Sequence, residues 1–321
     1  MTISVLVTGM GSATAISVVK ALRQQSEIDI RIIGTDTNQK NEIAGSIFCQ
    51  KFYTVPQAID VNYYISELVN ICDTEKIKII FPIVDCELEI IARYRKAFQD
   101  KGIHIWLSDL STILICNNKY KSYRFLSKKK FCTPKTWMPK QLTQIEKDFV
   151  YPLIVKPIDG RGSINVVYVE NHQVLLEALG KVKNPIIQQY IEGKEFTIDV
   201  VADDCSHVLA VVPRERIEIK AGISYKGRTV NNKKLSEQSR KIAQELKIRG
   251  PCNLQCKIVG EYPFFFDINP RFSGGLPLTI ASGVNIPLLL VKLTLGHQIN
   301  NSDLNFKKDV YMARYLEEVF Y

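Results

Sequence analysis

Phe264-Phe-Phe-Asp267-Ile-Asn269-Pro-Arg271-Phe-Ser-Gly-Gly275 sets a carboxylate inside an apolar run and follows it, at intervals of two, with an amide and a guanidinium. A buried carboxylate without a partner is expensive, and residues two apart on a strand share a face. The stretch therefore reads as a strand from which Asp267 and Asn269 aim oxygens at one hard cation, a kind of ion that also accepts phosphate oxygens. Arg271 continues the spacing and places a fixed positive charge where charge would develop during a transfer. Gln255 lies in the apolar strand-like run just before it, Asn253–Ile258.

Working upstream, Pro152-Leu-Ile-Val-Lys156-Pro157 ends an apolar strand on a lysine, and Asp159-Gly160-Arg161-Gly162-Ser163 follows. A lysine at the end of a buried strand is costly unless its ammonium meets an anion. A loop with two glycines can lay several N–H groups along phosphate oxygens, so the two features together form a triphosphate clamp. Between the clamp and the aspartate strand, Gln188-Gln189-Tyr190-Ile191-Glu192-Gly193-Lys194-Glu195 connects one strand to the next. Such a connection between lobes can offer backbone donors and acceptors to an adenine edge, and a following carboxylate can accept from ribose hydroxyls.

The first hundred residues have a different texture. Ile3–Thr8, Ile28–Asp36, Ile77–Val84 and Ile103–Leu107 are short and β-branched, while Ser12–Gln24, Val61–Asp73 and Glu87–Asp100 carry apolar positions at helical spacing. This alternation predicts a parallel, doubly wound α/β sheet, which binds ligands at the carboxyl ends of its strands. The turn Gly9-Met10-Gly11-Ser12-Ala13-Thr14 follows a strand and opens a helix, and Asp36 ends the second strand, which supports an NAD(P)-dependent oxidoreductase as a competing reading. Thr14 stands where the dinucleotide fingerprint wants its third glycine. Further on, short strands are expected at Leu153–Lys156, Asn165–Val169, Ile186–Tyr190, Phe196–Val201 and His207–Val212, and a helix at Ser236–Lys247.

The net charge of +9 is spread over short lysine runs without aromatic interleaving, so a nucleic-acid partner is not expected. Eight cysteines occur with no CxxC pair, and the chain starts directly on a strand-like run, which points to free thiols in a reducing cytoplasm. The apolar stretch Ile286–Leu295 is far too short to span a bilayer, so no membrane partner is expected.

The order Lys119, Val-Lys156-Pro with its glycine loop, Gln-Gln-Tyr-Ile-Glu-Gly-Lys-Glu195, Asn253-Leu-Gln255 and Asp267-Ile-Asn-Pro-Arg271 resembles the ATP-grasp superfamily, over nearly the whole chain. It is most similar to short stand-alone proteins resembling the synthetase half of the carbamoyl-phosphate synthase large subunit. The resemblance implies a Rossmann-like pre-ATP-grasp unit over residues 1–112 and a two-lobed α+β ATP-grasp domain over 113–300. Its small lobe would cover about 120–190, its large lobe about 191–300, with segment 301–321 packing on the large lobe. It implies that Lys119 and Lys156 bind phosphates, that Gly160, Gly162 and Ser163 lie in a mobile loop over them, that Gln188 belongs to the ATP-binding set, and that Gln189 and Ile191 meet adenine through the backbone while Glu195 holds ribose. Gln255, Asp267 and Asn269 match the magnesium positions, and Arg271 the catalytic arginine. Gln255 and Asp267 stand where glutamates are usual, and Gln188 where many relatives carry an acid.

The implied activity is an ADP-forming carboxylate-amine ligase that uses ATP and Mg2+, with Mn2+ able to substitute; a non-catalytic ATP-binding module is the alternative of another class. Small-molecule carboxylate and amine substrates are the expected partners, and a homodimer is an open option. Candidate substrate residues are Asp85 and Glu87, just past the strand Ile77–Val84, and Arg214 and Arg216, after the strand His207–Val212. Lys220 and Lys226 follow in a glycine-bearing loop, with surface ion pairs to Glu215 and Glu218 as the competing reading.

Overall fold

Strands β1 (Ile3–Val7), β2 (Ile30–Asp36), β3 (Lys51–Thr54), β4 (Ile77–Phe81) and β5 (His104–Ile105) form a parallel sheet in the order β3-β2-β1-β4-β5. The protein is seen here as a computed structural model that describes residues 2–142, 149–160, 162 and 164–321. The strand order reverses between β1 and β4, where the connections leave in opposite directions and open a crevice at the carboxyl ends. Helices Ala13–Arg23 and Asp85–Arg93 start from that crevice. β3 escapes the sequence reading because an edge strand of four residues, none of them buried, carries no apolar alternation.

Two antiparallel sheets follow. The smaller has the order β6 (Thr136–Trp137), β9 (Pro185–Gln189), β7 (Leu153–Pro157), β8 (Val167–Val169), and helix His172–Lys181 packs on it. The larger comprises β10 (Lys194–Ala202), β11 (Val208–Lys220), β12 (Ile223–Thr229), β13 (Gly250–Val259), β14 (Tyr262–Asn269) and β15 (Tyr311–Ala313), ordered β14-β13-β10-β11-β12-β15. β11 runs eight residues past the expected Val212, and β12 replaces the expected loop. Lys226 therefore sits in β12 opposite Glu218, which it meets at 2.7 Å, while Lys220 meets the same carboxylate at 3.3 Å. Both lysines are committed to that ion pairing, as the competing reading had it.

Alternation along β10 splits the large sheet into two faces. Phe196, Ile198 and Val200 join Cys252, Leu254 and Cys256 of β13 against Leu235, Ile242 and Ala243 of helix Lys233–Glu245. Burial pushes the thiols of Cys252 and Cys256 up, so they act as core packing. The opposite face starts polar, at Glu195, Thr197 and Asp199, and turns apolar at Val201, which packs with Ala210 and Val212 into the core of the first sheet. The apolar half of this face fixes the large sheet on the parallel one. Its polar half is left to line a site. Helix Ile286–Thr294 belongs to the same core, and among the described residues no helix is long and apolar enough to cross a membrane. β15 pairs with β12, and beyond it the Tyr321 hydroxyl donates to Ile43 O at 2.7 Å.

Candidate active site

The register of β13 and β14 explains why the aspartate strand can be apolar and functional at once. Cys256 lies opposite Phe265 and Gln255 opposite Asp267, so Phe266 is the extra residue of a β-bulge. A bulge re-aims side chains: Phe265 and Ile268 enter the core, whereas Phe266 and Asp267 both face the cavity. Two rungs further on Asn253 opposes Asn269.

Asp267 lies 3.4 Å from Lys119 Nζ and accepts from Asn269 Nδ2 at 3.4 Å. Burial works to raise its pKa, but the ammonium groups of Lys119 and Lys156 outweigh that and hold the carboxyl below its ordinary range. Lys119 also donates to Gly160 O at 2.7 Å, tying the glycine loop to the aspartate. Lys156 is only 7% exposed, with its ammonium 5.5 Å from the Phe266 ring centroid. Burial lowers its pKa to about 8, with Asp267 pulling the other way.

These groups line a cavity of about 230 Å3 between the small and large sheets, together with Gln188, Gln189, Ile191 and Glu195. The Gln188 side chain is spent on Thr136, donating to Oγ1 at 2.8 Å, and Gln189 N donates to Lys135 O at 2.8 Å. Glu195 accepts from Arg216 Nη1 at 2.6 Å, and Arg216 also donates to Gly222 O at 2.7 Å, at the turn between β11 and β12. Gly162 reaches that turn: a Cβ on Gly222 would lie 2.9 Å from its Cα. Ser163 and Arg161 fall outside the described residues.

A second cavity of about 260 Å3 shares Gly160, Gly162, Arg216, Gly222, Gln255 and Asp267 with the first and runs on into the crevice between β1 and β4. There Arg271 donates from Nε to Asp85 Oδ1 at 2.7 Å and from Nη2 to Oδ2 at 3.0 Å, a bidentate ion pair across the two units. Of the candidate substrate residues, Asp85 and Arg216 line this cavity. Glu87 turns inward instead: it is 2% exposed and accepts from Thr8 and Tyr64 hydroxyls and, at 2.9 Å each, from the backbone N–H groups of Ile83 and Val84. Burial raises its pKa, and its role is to close the start of helix Asp85–Arg93. Arg214 lies beneath the floor, donating to Asp199 at 2.5 Å and Ser273 at 2.8 Å, and a Cβ on Gly275 would fall 1.7 Å from its Nη1. Both arginines are inside β11, not past a strand end.

Sequence reasoning missed Ser12 and Thr14 as lining of the second cavity and Phe266 and Lys257 as lining of the first. The glycine turn before Ser12 was a usable signal, whereas the bulge that exposes Phe266 leaves no mark in the residue pattern. The same turn speaks against a dinucleotide: Asp36 Oδ2 accepts from Gly11 N at 2.7 Å and Oδ1 from Asn38, so the acid that would hold a ribose closes its own glycine turn. The donor chemistry of Gln255, Asp267 and Asn269, one carboxylate and two amide oxygens on one rung and the next but one, fits a hard cation that takes its remaining ligands from phosphate oxygens.

Residues 181–319 match the family model described as ATP-grasp in the biosynthetic pathway with Ter operon, and residues 5–106 that described as PylC-like, N-terminal domain. The carbamoyl phosphate synthase arginine-specific large chain of Geobacillus stearothermophilus is 28% identical over 161 residues, which is 46% of this chain and 15% of that one. The chain thus spans about a sixth of the length of such relatives. Among solved structures, the biotin carboxylase complex with beta-gamma-ATP from Campylobacter jejuni superposes with a TM-score of 0.74 at 14% identity, over 96% of this chain and 74% of that one. The L-amino acid ligase from Bacillus licheniformis gives 0.71 at 17% identity, over 96% and 77%. These likenesses carry the architecture: the PylC-like model covers most of the parallel unit, and the ATP-grasp model covers the residues that form the large sheet.

Proposed function

We propose that the protein is an ATP- and magnesium-dependent, ADP-forming ligase that activates a carboxylate as an acyl phosphate and passes the acyl group to an amine. The observation that carries this reading is the place of Asp267 on the wall shared by the two cavities, with Lys119 at 3.4 Å on the nucleotide side and Arg271 acting on it electrostatically from the other. A module that only bound nucleotide would have no use for that arginine.

In this reading the first cavity takes the nucleotide, with Lys119, Lys156 and the glycine loop on the phosphates and Glu195 toward the ribose. A carboxylate oxygen in the second cavity attacks the γ-phosphorus in line, the bond to the β-γ bridging oxygen breaks, and ADP leaves. The amine nitrogen then attacks the acyl carbon, phosphate departs with the former carboxylate oxygen, and the amine loses a proton. Bound magnesium, or manganese in its place, would neutralise phosphate charge; Gln255, Asp267 and Asn269 would hold it. Arg271 stabilises the charge on the transferring group, and contact of the glycine loop with the Gly222 turn keeps water from the acyl phosphate.

The free thiols fit a reducing cytoplasm. The test is a screen of pooled carboxylates and amines for ADP release with magnesium, followed by hydroxylamine trapping. Hydroxamate from acid plus ATP, and transfer of carboxylate oxygen-18 to phosphate once the amine is added, are the expected results. Phosphate labelled only from water counts against the acyl-phosphate route.

A further inference from the structure

Asp203-Asp204-Cys205-Ser206-His207 closes the hairpin from β10 to β11 and sets a carboxylate, a thiol and an imidazole at intervals of two. In an extended strand, residues 203 and 207 would stand roughly 13 Å apart. Here the chain doubles back. Ser206 takes a left-handed φ of 65°, its N–H donates to Asp203 O at 3.0 Å, and Asp203 N donates to His207 O at 3.0 Å. The turn brings one ligand atom each of Asp203, Cys205 and His207 within 4.8 Å of one another. Among the described residues no other set of three or more His, Cys, Asp and Glu side chains gathers in this way.

Two of the three already stand at coordination spacing. His207 Nδ1 and Asp203 Oδ2 lie 2.9 Å apart, a hydrogen-bonding distance that is also close to the separation of two donors sharing a cation at about 2.0–2.1 Å each. The other carboxylate oxygen, Oδ1, accepts from His207 N at 2.7 Å, which fixes the plane of the carboxylate beside the ring. Cys205 is an exposed free thiol, with open space in which to turn toward the other two. Magnesium and calcium take oxygen ligands, whereas a thiolate, an imidazole and a carboxylate together suit zinc and its borderline neighbours. We propose that Asp203, Cys205 and His207 bind a thiophilic divalent cation of the zinc type, with water as the fourth ligand. On binding, the Cys205 thiol gives its proton to solvent as sulfur bonds the metal, and the proton of the neutral His207 ring sits on Nε2 while Nδ1 coordinates.

This site is separate from the two cavities. Glu195 and Asp203 are eight residues apart along one extended strand, a span of roughly 27 Å. The turn lies instead where the large sheet meets the parallel unit. Asp204, between the ligands, accepts from Arg249 Nη2 at 3.0 Å, Arg249 Nη1 donates to Asp109 at 2.9 Å, and His104 Nε2 of β5 stands 3.5 Å from Asp204. A bound metal fixes the turn that carries Asp204 and so braces the contact between the two units; it takes no part in phosphoryl transfer.

Cobalt(II) is the probe, because a thiolate ligand gives it a charge-transfer absorption that carboxylate and imidazole ligands do not. The full chain, kept reduced with a phosphine, is titrated with cobalt(II) and then with zinc. A thiolate-to-cobalt band should saturate at one equivalent, vanish when zinc displaces the cobalt, and persist in about a hundredfold excess of magnesium. Cys205→Ser should abolish the band, and Asp203→Asn and His207→Gln should each weaken cobalt binding by about tenfold or more. Zinc should raise the melting temperature of the unaltered protein and not that of Cys205→Ser. Native far-ultraviolet circular dichroism checks that each variant is folded, and Cys205→Ser, which leaves the hydrogen bonds between Asp203 and His207 in place, keeps the test decisive if another variant unfolds. Absence of a thiolate band in the unaltered protein overturns the proposal. So does a band that survives Cys205→Ser, which would point to another thiol such as the exposed Cys86. A band lost in Cys205→Ser but undiminished in both other variants means a single thiol taking up metal by itself, and likewise overturns the three-ligand site.

Discussion

Lys156 keeps its ammonium where little water reaches it, and the consequence is a pH dependence that belongs to this residue. Its free-state pKa is about 8, lowered by burial. Triphosphate favours the charged form, so binding takes up a proton wherever the free lysine is partly neutral. ATP affinity should therefore be nearly flat below pH 8 and weaken above it, by up to about tenfold per pH unit for one linked proton. Calorimetry across pH 7 to 9.5, against Lys156→Arg, whose guanidinium stays charged, checks this; an equal slope in both proteins removes Lys156 as the cause. At Asp267 and Arg271 the expectation is a loss of chemistry without loss of nucleotide. Asp267→Asn and Arg271→Ala should each fold and bind adenosine, and each should lose turnover by roughly two or more powers of ten. Near wild-type ADP release in a substrate-dependent assay would clear either residue of the role assigned to it.

The elements that meet over the site are the glycine loop of the small sheet and the turn between β11 and β12. Gly222 has φ of 75°, in the left-handed region, and a side chain there would press into Gly162. Gly222→Ala should thus hold the two elements apart at a cost set by backbone strain of order 1–3 kcal/mol. The measurable results are a raised KM for ATP and a larger share of ADP formed by water in place of the amine. Unchanged coupling of ADP to product would mean that the contact does not help to seal the site. Arg216 belongs to this scale as well: one guanidinium joins Glu195 of β10 to Gly222 O, so the Glu195 side of the cavity is tied to the turn.

For the whole molecule, ligand linkage separates the two nucleotide readings. MgATP at about a hundred times its dissociation constant should stabilise the fold by roughly 2.7 kcal/mol. NAD(P)H should add nothing measurable, since Asp36 is spent on Gly11 N. A rise in melting temperature with NAD(P)H and none with ATP would reverse the assignment of the cavities.

What could be read from the chain alone was whatever local backbone geometry enforces. A strand repeats every two residues, so Glu195, Thr197 and Asp199 separate from Phe196, Ile198 and Val200 by position alone, and the parallel unit announces itself through alternating β-branched runs and helical spacing. The order of the motifs around Lys156, Gln255 and Asp267 is likewise a property of the chain. Tertiary structure decided the rest, because the deciding contacts join residues far apart in sequence. Asp85 meets Arg271 across 186 residues, Glu87 turns away from the crevice to accept from Thr8 and Tyr64, and Arg214 is drawn under Gly275 by Asp199. β12 and β15 become strands because β11 offers β12 an edge to pair with and β12 offers one to β15. The bulge at Phe266 depends on the register of two paired strands, and register is a relation between segments that neither segment carries by itself.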